Sequence, residues 1–165
     1  MTETLLPDEI YKLAQKVVEE NAAKGRKVVL AESCTGGLVA GAITEVAGSS
    51  AVLDRGFVTY SNEAKQADLG VPLDIIEAFG AVSVATAFAM AQGALERSDA
   101  DVAVAISGIA GPGGGSEMKP VGTVVFARAI RGEAEPTADE RLFEGENRAG
   151  VRRQATLCAL ELLLP

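Results

Sequence analysis

The chain has 165 residues, 48% of them hydrophobic, with a mean hydropathy of +0.21, which is enough apolar material for one compact core and for a single domain spanning 1–165. Lys plus Arg number 15 against 23 Asp plus Glu, a net charge of -8, so the chain has no basic surface to lay along nucleic acid. Histidine is absent, which excludes Ser–His–Asp and Cys–His catalysis, and Cys34 and Cys158 fit no CxxC spacing, so neither a structural metal nor a metal cofactor is expected.

The start, "MTETLLPDEIYK", reads as a polar lead into a helix and not as a signal peptide. Ile10, Leu13, Ala14, Val17 and Val18 recur at helical spacing between Asp8 and Lys24, with Gly25 as the stop. "KVVLAE" from Lys27 has the β-branched, unbroken apolar character of a strand covered on both faces, and Gly36 and Gly37 open a helix that runs to Val46. After the turn "AGSS", "RGFVTY" predicts a second strand and "SNEAKQADLGV" a short helix closing before Pro72. A helix over Leu73 to Phe79 precedes one over Ser83 to Arg97 that is rich enough in alanine for close approach to a sheet or to another subunit. Its neighbourhood contains the least charged run, "AVSVATAFAMAQGAL", whose 15 residues fall short of the roughly 20 needed to cross a bilayer. No membrane association and a cytoplasmic location are therefore expected.

"DVAVAISG" predicts a third buried strand that runs into the glycine-rich loop "GIAGPGGGSEMKP". "GTVVFARAI" and "ERLFEG" predict an antiparallel pair turning near Gly132, and a helix from about Asn147 to Leu162 ends the chain. Early alternation of strands and helices followed by a late hairpin predicts an α/β fold, a three-layer α/β/α sandwich around a mixed sheet of about five strands.

Ligands of open α/β sheets lie beyond the carboxyl ends of the strands, and two such ends carry unusual turns here, "ESCTGG" and "SGIAGPGGGS". Helix-start amides from Thr35 to Leu38 are suited to a phosphate or an oxyanion. The glycine-rich stretch lacks the Lys and Ser/Thr of a P-loop, and it also reads as a flexible surface loop. Ser33 is a candidate nucleophile or a helix cap, and Thr35 competes for the cap. Without histidine, Ser33 needs a lysine, tyrosine or carboxylate as its base. Lys65, a few residues past a buried strand, is the lysine to consider, beside its ordinary reading as a solvated helix residue. Cys34 is either a rival nucleophile or a small buried residue. Arg148, Arg152 and Arg153 crowd the wrong end of a helix dipole, which calls for an anion, either Glu144 and Glu146 or a ligand phosphate.

Taken together, "AESCTGG", "AGSS", "GFVTYSNEAK", "GAVS", "ISGIAGPGGGSEMKPVGTV" and "VRRQA" make the chain resemble the CinA C-terminal domain family over about Val28 to Ala155. Members of that family are nicotinamide-nucleotide amidases. Larger relatives carry an additional N-terminal domain resembling molybdopterin-binding proteins, and no activity belonging to that domain is expected of this chain. The resemblance implies hydrolysis of nicotinamide mononucleotide to nicotinate mononucleotide and ammonia, without cofactor. It makes Ser33 the nucleophile, Lys65 the general base and Tyr60 a neighbour that orients the lysine or the substrate. Cys34, Thr35, Gly36, Gly37, Asn62, Ser107, Gly108, Gly111, Gly113 and Arg152 become substrate contacts. A homo-oligomer is expected. The competing readings are a non-catalytic nucleotide-binding module that assembles through the alanine-rich helix and, more remotely, a metal-dependent phosphate-ester hydrolase, for which the chain has no carboxylate cluster.

Overall fold

Strand β1 (Val28–Glu32) is buried along its whole length, and its side chains divide by twos between the two halves of the core. Val28 and Leu30 face one layer of helices, and Val29 and Ala31 face the other. The computed structural model, which describes residues 3–165, sets β1 at the second position of a five-stranded sheet of order β2-β1-β3-β4-β5. Strands β2 (Leu53–Val58) and β3 (Val102–Gly108) run parallel to β1, β4 (Thr123–Ile130) returns antiparallel to β3, and β5 (Thr137–Leu142) pairs antiparallel with β4 and so runs in the direction of β1 again.

One face is covered by α1 (Asp8–Ala23), α2 (Leu38–Thr44) and α6 (Arg148–Leu163). The other is covered by α3 (Asn62–Leu69), α4 (Leu73–Phe79) and α5 (Val84–Glu96), giving the three layers that the sequence predicts. The alanines of α5 serve sheet packing: Ala87, Met90, Ala91 and Ala94 lie against Ala31, Ala103, Ala105 and Ala127. Small side chains on both surfaces let helix and sheet approach closely. The same compression reaches α3, where a Cβ on Gly93 would stand 1.9 Å from the carbonyl oxygen of Leu69.

Several boundaries differ from expectation, among them the start of β2 at Leu53 instead of Arg55 and the end of α2 at Thr44 instead of Val46. Strand β2 ends at Val58 instead of Tyr60, because its register with β1 closes at Glu32↔Val58 and the chain then turns into the Ser61 cap of α3. Strand β5 begins at Thr137, three residues before "ERLFEG". Its extent is set by pairing from Thr123↔Leu142 to Arg128↔Thr137, and all six of its residues are exposed, so hydrophobic patterning could not mark it. Helix α2 starts at Leu38 instead of Gly36, because Gly36 and Gly37 occupy left-handed backbone at φ 57° and 100° and form the turn before the helix. No helix among the described residues is long and apolar enough to cross a membrane. The parallel register Glu32↔Ile106 brings the ends of β1 and β3 side by side, so the two unusual turns leave the sheet together.

Candidate active site

The first turn is built around Glu32, a carboxylate with no exposed surface. Oε1 accepts from the Thr35 hydroxyl at 2.6 Å and from the amides of Gly37 and Val39 at 3.2 and 3.0 Å, while Oε2 accepts from Ala40 at 3.0 Å. Of the amides from Thr35 to Leu38 expected to serve a phosphate or an oxyanion, Gly36 donates to the Ser33 carbonyl, Gly37 to Glu32 and Leu38 to the Thr35 carbonyl, which leaves that of Thr35 without a partner among the described residues. Neither Ser33 nor Thr35 caps the helix; Gly37 stands at that position without a side-chain bond. Glu32→Ala strands buried amides and a hydroxyl, so a loss of about 3 kcal/mol or more in urea unfolding is expected.

Ser33 continues the sheet by one hydrogen bond, its amide donating to the Ile106 carbonyl at 2.9 Å. Its Oγ lies 3.0 Å from Lys65 Nζ, which also donates to the carbonyl oxygens of Thr59 at 2.8 Å and Tyr60 at 3.2 Å. Helix α3 carries Lys65 inward, and the residue is only 1% exposed. All three contacts are to uncharged oxygens. As an ammonium, Lys65 would spend one proton on each. As a neutral amine it donates to the two carbonyls and accepts from the Ser33 hydroxyl. Burial favours the neutral form by holding the Lys65 pKa below the ordinary lysine value, with only the Cys34 side chain pulling the other way.

A cavity of about 250 Å³ opens over this pair and is lined by Ser33, Cys34, Tyr60, Asn62, Lys65, Ser107 and Gly108, with Ala81, Val82, Ala110 and Arg148 completing it. Tyr60 is 62% exposed at the rim, and it is its main-chain carbonyl that touches Lys65. Ser107, 1% exposed, donates from its hydroxyl to the Ala81 carbonyl at 2.8 Å.

Six expected substrate contacts are not among the residues that line this cavity. Thr35 is fully buried and bound to Glu32. Gly36 and Gly37 sit in the turn behind it, and the Arg152 guanidinium closes on Gly36 while donating to the Cys34 carbonyl at 3.1 Å. Gly113 lies on the exposed outer part of the glycine-rich loop. Gly111 is linked to the cavity indirectly, its carbonyl accepting from Arg148 Nη1 at 2.6 Å. Arg148 Nη2 also donates to the Tyr60 hydroxyl at 3.2 Å. Among the described residues Glu144 and Glu146 form no ion pair with Arg148, Arg152 or Arg153, and two of these cations bind carbonyls instead.

Cys34 is buried, and its thiol is pushed up to about 11, chiefly by burial and with Glu32 adding to the rise. A thiol of that pKa is protonated at neutral pH, whereas the neighbouring Ser33 Oγ lies within hydrogen-bond distance of the Lys65 amine. Glu32 is the residue that sequence reasoning left out of the candidate site, and Arg148 is one it weighed beside Arg152 and Arg153 for an anion without placing it at the cavity. The signals were a carboxylate ending an apolar strand just before a helix, and a cation at the positive end of a helix.

The α/β sheet thus holds a buried lysine against a serine at the carboxyl ends of its parallel strands, beneath a cavity. The profile of the CinA C-terminal domain matches residues 10–165, and the chain belongs to that family. It is 53% identical over 156 residues to the nicotinamide-nucleotide amidohydrolase PncC of Escherichia coli K12, covering 94% of this chain and 93% of that one. It is also 53% identical to a putative competence-damage inducible protein of Symbiobacterium thermophilum, but there the match covers 92% of this chain and only 37% of the relative's length. The crystal structure of the competence/damage inducible protein CihA from Agrobacterium tumefaciens superposes with a TM-score of 0.94 at 50% identity, covering 98% of this chain and 97% of the other.

Proposed function

We propose that the chain, acting as one domain over 1–165, hydrolyses the carboxamide of nicotinamide mononucleotide to nicotinate mononucleotide and ammonia. The observation that carries the reading is the 3.0 Å contact between the buried Lys65 amine and Ser33 Oγ. The name of the near-full-length Escherichia coli relative supports the substrate.

Neutral Lys65 takes the Ser33 proton as Oγ attacks the carboxamide carbon, and a C–O bond forms while the carbonyl oxygen gains the negative charge. The Cys34 and Thr35 amides, which donate to no other group among the described residues, are the main-chain donors this turn leaves for that oxyanion. Lys65 then returns the proton to the departing nitrogen, the C–N bond breaks and ammonia leaves. Water, deprotonated by the same lysine, attacks the ester on Ser33; nicotinate mononucleotide departs and the serine hydroxyl is restored. Tyr60 and Asn62 at the rim suit the pyridinium ring and ribose, and Arg148, which lines the cavity, suits the phosphate better than Arg152, which does not.

The enzyme is expected in the cytoplasm, taking a small molecule as its partner. The exposed Leu73, Phe79 and Val84 are available for a homo-oligomer contact. The test is ammonia release from nicotinamide mononucleotide in the presence of a chelator. Release matched by nicotinate mononucleotide is expected, and none from the folded protein would overturn the reading.

A further inference from the structure

The cavity wall formed by Ala81 and Val82 belongs to an irregular peptide between α4 and α5. Four successive carbonyls there, from Phe79 to Val82, receive no main-chain amide among the described residues. Each is held by side-chain donors. Gly80 accepts from the Ser83 and Thr86 hydroxyls at 2.9 and 2.7 Å, and Ala81 accepts from Ser107 at 2.8 Å. Phe79 and Val82 both accept from the ammonium of Lys119, the former at 3.2 Å. Phe79 ends α4, so the cation also sits at the negative end of a helix.

Lys119 arrives from the far side of the glycine-rich loop. The base of that loop is closed by Ile109 donating to Thr123 and Gly122 donating to Ile109, at 2.9 and 2.8 Å. A tight turn then presents the lysine: Ser116 donates to the Lys119 carbonyl at 2.9 Å, and the Lys119 amide donates to Ser116 Oγ at 3.1 Å. A Cβ on Gly115 would stand 2.7 Å from the Val121 amide nitrogen, so this part of the loop requires glycine to pack back on itself. No carboxylate pairs with the Lys119 ammonium among the described residues. Its two carbonyl contacts are thus the positional work the side chain performs.

We infer that Lys119 is a positioning residue that fixes the Ala81–Val82 wall of the cavity and thereby sets how tightly the ring of the substrate is held beside Ser33. It touches neither the reacting atoms nor the Ser33–Lys65 pair, so its loss weakens ground-state and transition-state binding alike. The kinetic part rests on the amidase reading; the structural part does not.

The test compares the wild type with Lys119→Met and Lys119→Arg in the full chain. Hydrogen–deuterium exchange over residues 79–83 is expected to quicken in Lys119→Met and to return toward wild type in Lys119→Arg, whose guanidinium can again serve two carbonyls. With nicotinamide mononucleotide, Lys119→Met is expected to raise KM roughly 10-fold while kcat and its pH profile stay within about 3-fold of wild type. Unchanged exchange in Lys119→Met would overturn the inference. So would a loss confined to kcat, or an elevated KM that Lys119→Arg fails to reduce. A wild type that shows the exchange pattern but no turnover would instead sink the amidase reading and leave the hold of Lys119 on the wall standing.

Discussion

Ser33→Ala is expected to lower kcat for ammonia release from nicotinamide mononucleotide by roughly 10⁴–10⁶-fold, the scale on which removal of an activated nucleophile acts. The change removes one oxygen from a side chain that is 7% exposed and supports no helix cap, so folding and nucleotide binding are expected to persist. Lys65 retains its two carbonyl partners, Thr59 and Tyr60. Cys34 cannot take over, because its thiol, pushed up to about 11, remains protonated at neutral pH. Steady-state assays, with thermal unfolding as the control for folding, read both parts.

Lys65→Met is expected to lower kcat by roughly 10²–10⁴-fold, and adding Ser33→Ala should cost little beyond Ser33→Ala alone, since the two side chains act as a unit. Lys65→Arg should be inactive at every accessible pH, because a guanidinium stays protonated. In the wild type kcat/KM is expected to rise with pH as Lys65 loses its proton, with an apparent pKa below the ordinary 10.5 of lysine. The same shift has a stability consequence of definite sign. Between the lowered folded pKa and the unfolded value of about 10.4, the unfolded chain binds more protons, so this group's contribution to stability rises with pH. Lys65→Met loses that contribution. The difference in Tm, wild type minus variant, should therefore grow as pH is raised across the window, and a constant difference would place Lys65 outside it.

The inner strands were legible because burial on both faces leaves an unbroken apolar run, as in Val28 to Ala31 and Val102 to Ile106. Strand β5 was not legible in register, because an exposed edge strand is specified by its hydrogen-bonding neighbour and not by its own composition. The polar candidates of both strand-end turns could be named from position, but composition alone weighed Ser33 as a cap and Lys65 as a solvated lysine. The family resemblance, not spacing, supplied their pairing. Glu32 shows the limit most clearly. Its place at the end of β1 was visible, yet that its carboxylate bends back to take three amides of the following turn and helix depends on a backbone path set by two left-handed glycines. Lys119 was hidden for a related reason: a loop without periodicity does not reveal which carbonyls its one cation will reach.

The most direct test of the serine–lysine mechanism is rapid quenching of the enzyme during turnover of nicotinamide mononucleotide, followed by peptide mass spectrometry. An adduct of nicotinate mononucleotide less one water, attached to Ser33 and absent in Ser33→Ala, is the expected result. The same adduct on Cys34, or full-rate ammonia release by folded Ser33→Ala, would contradict it.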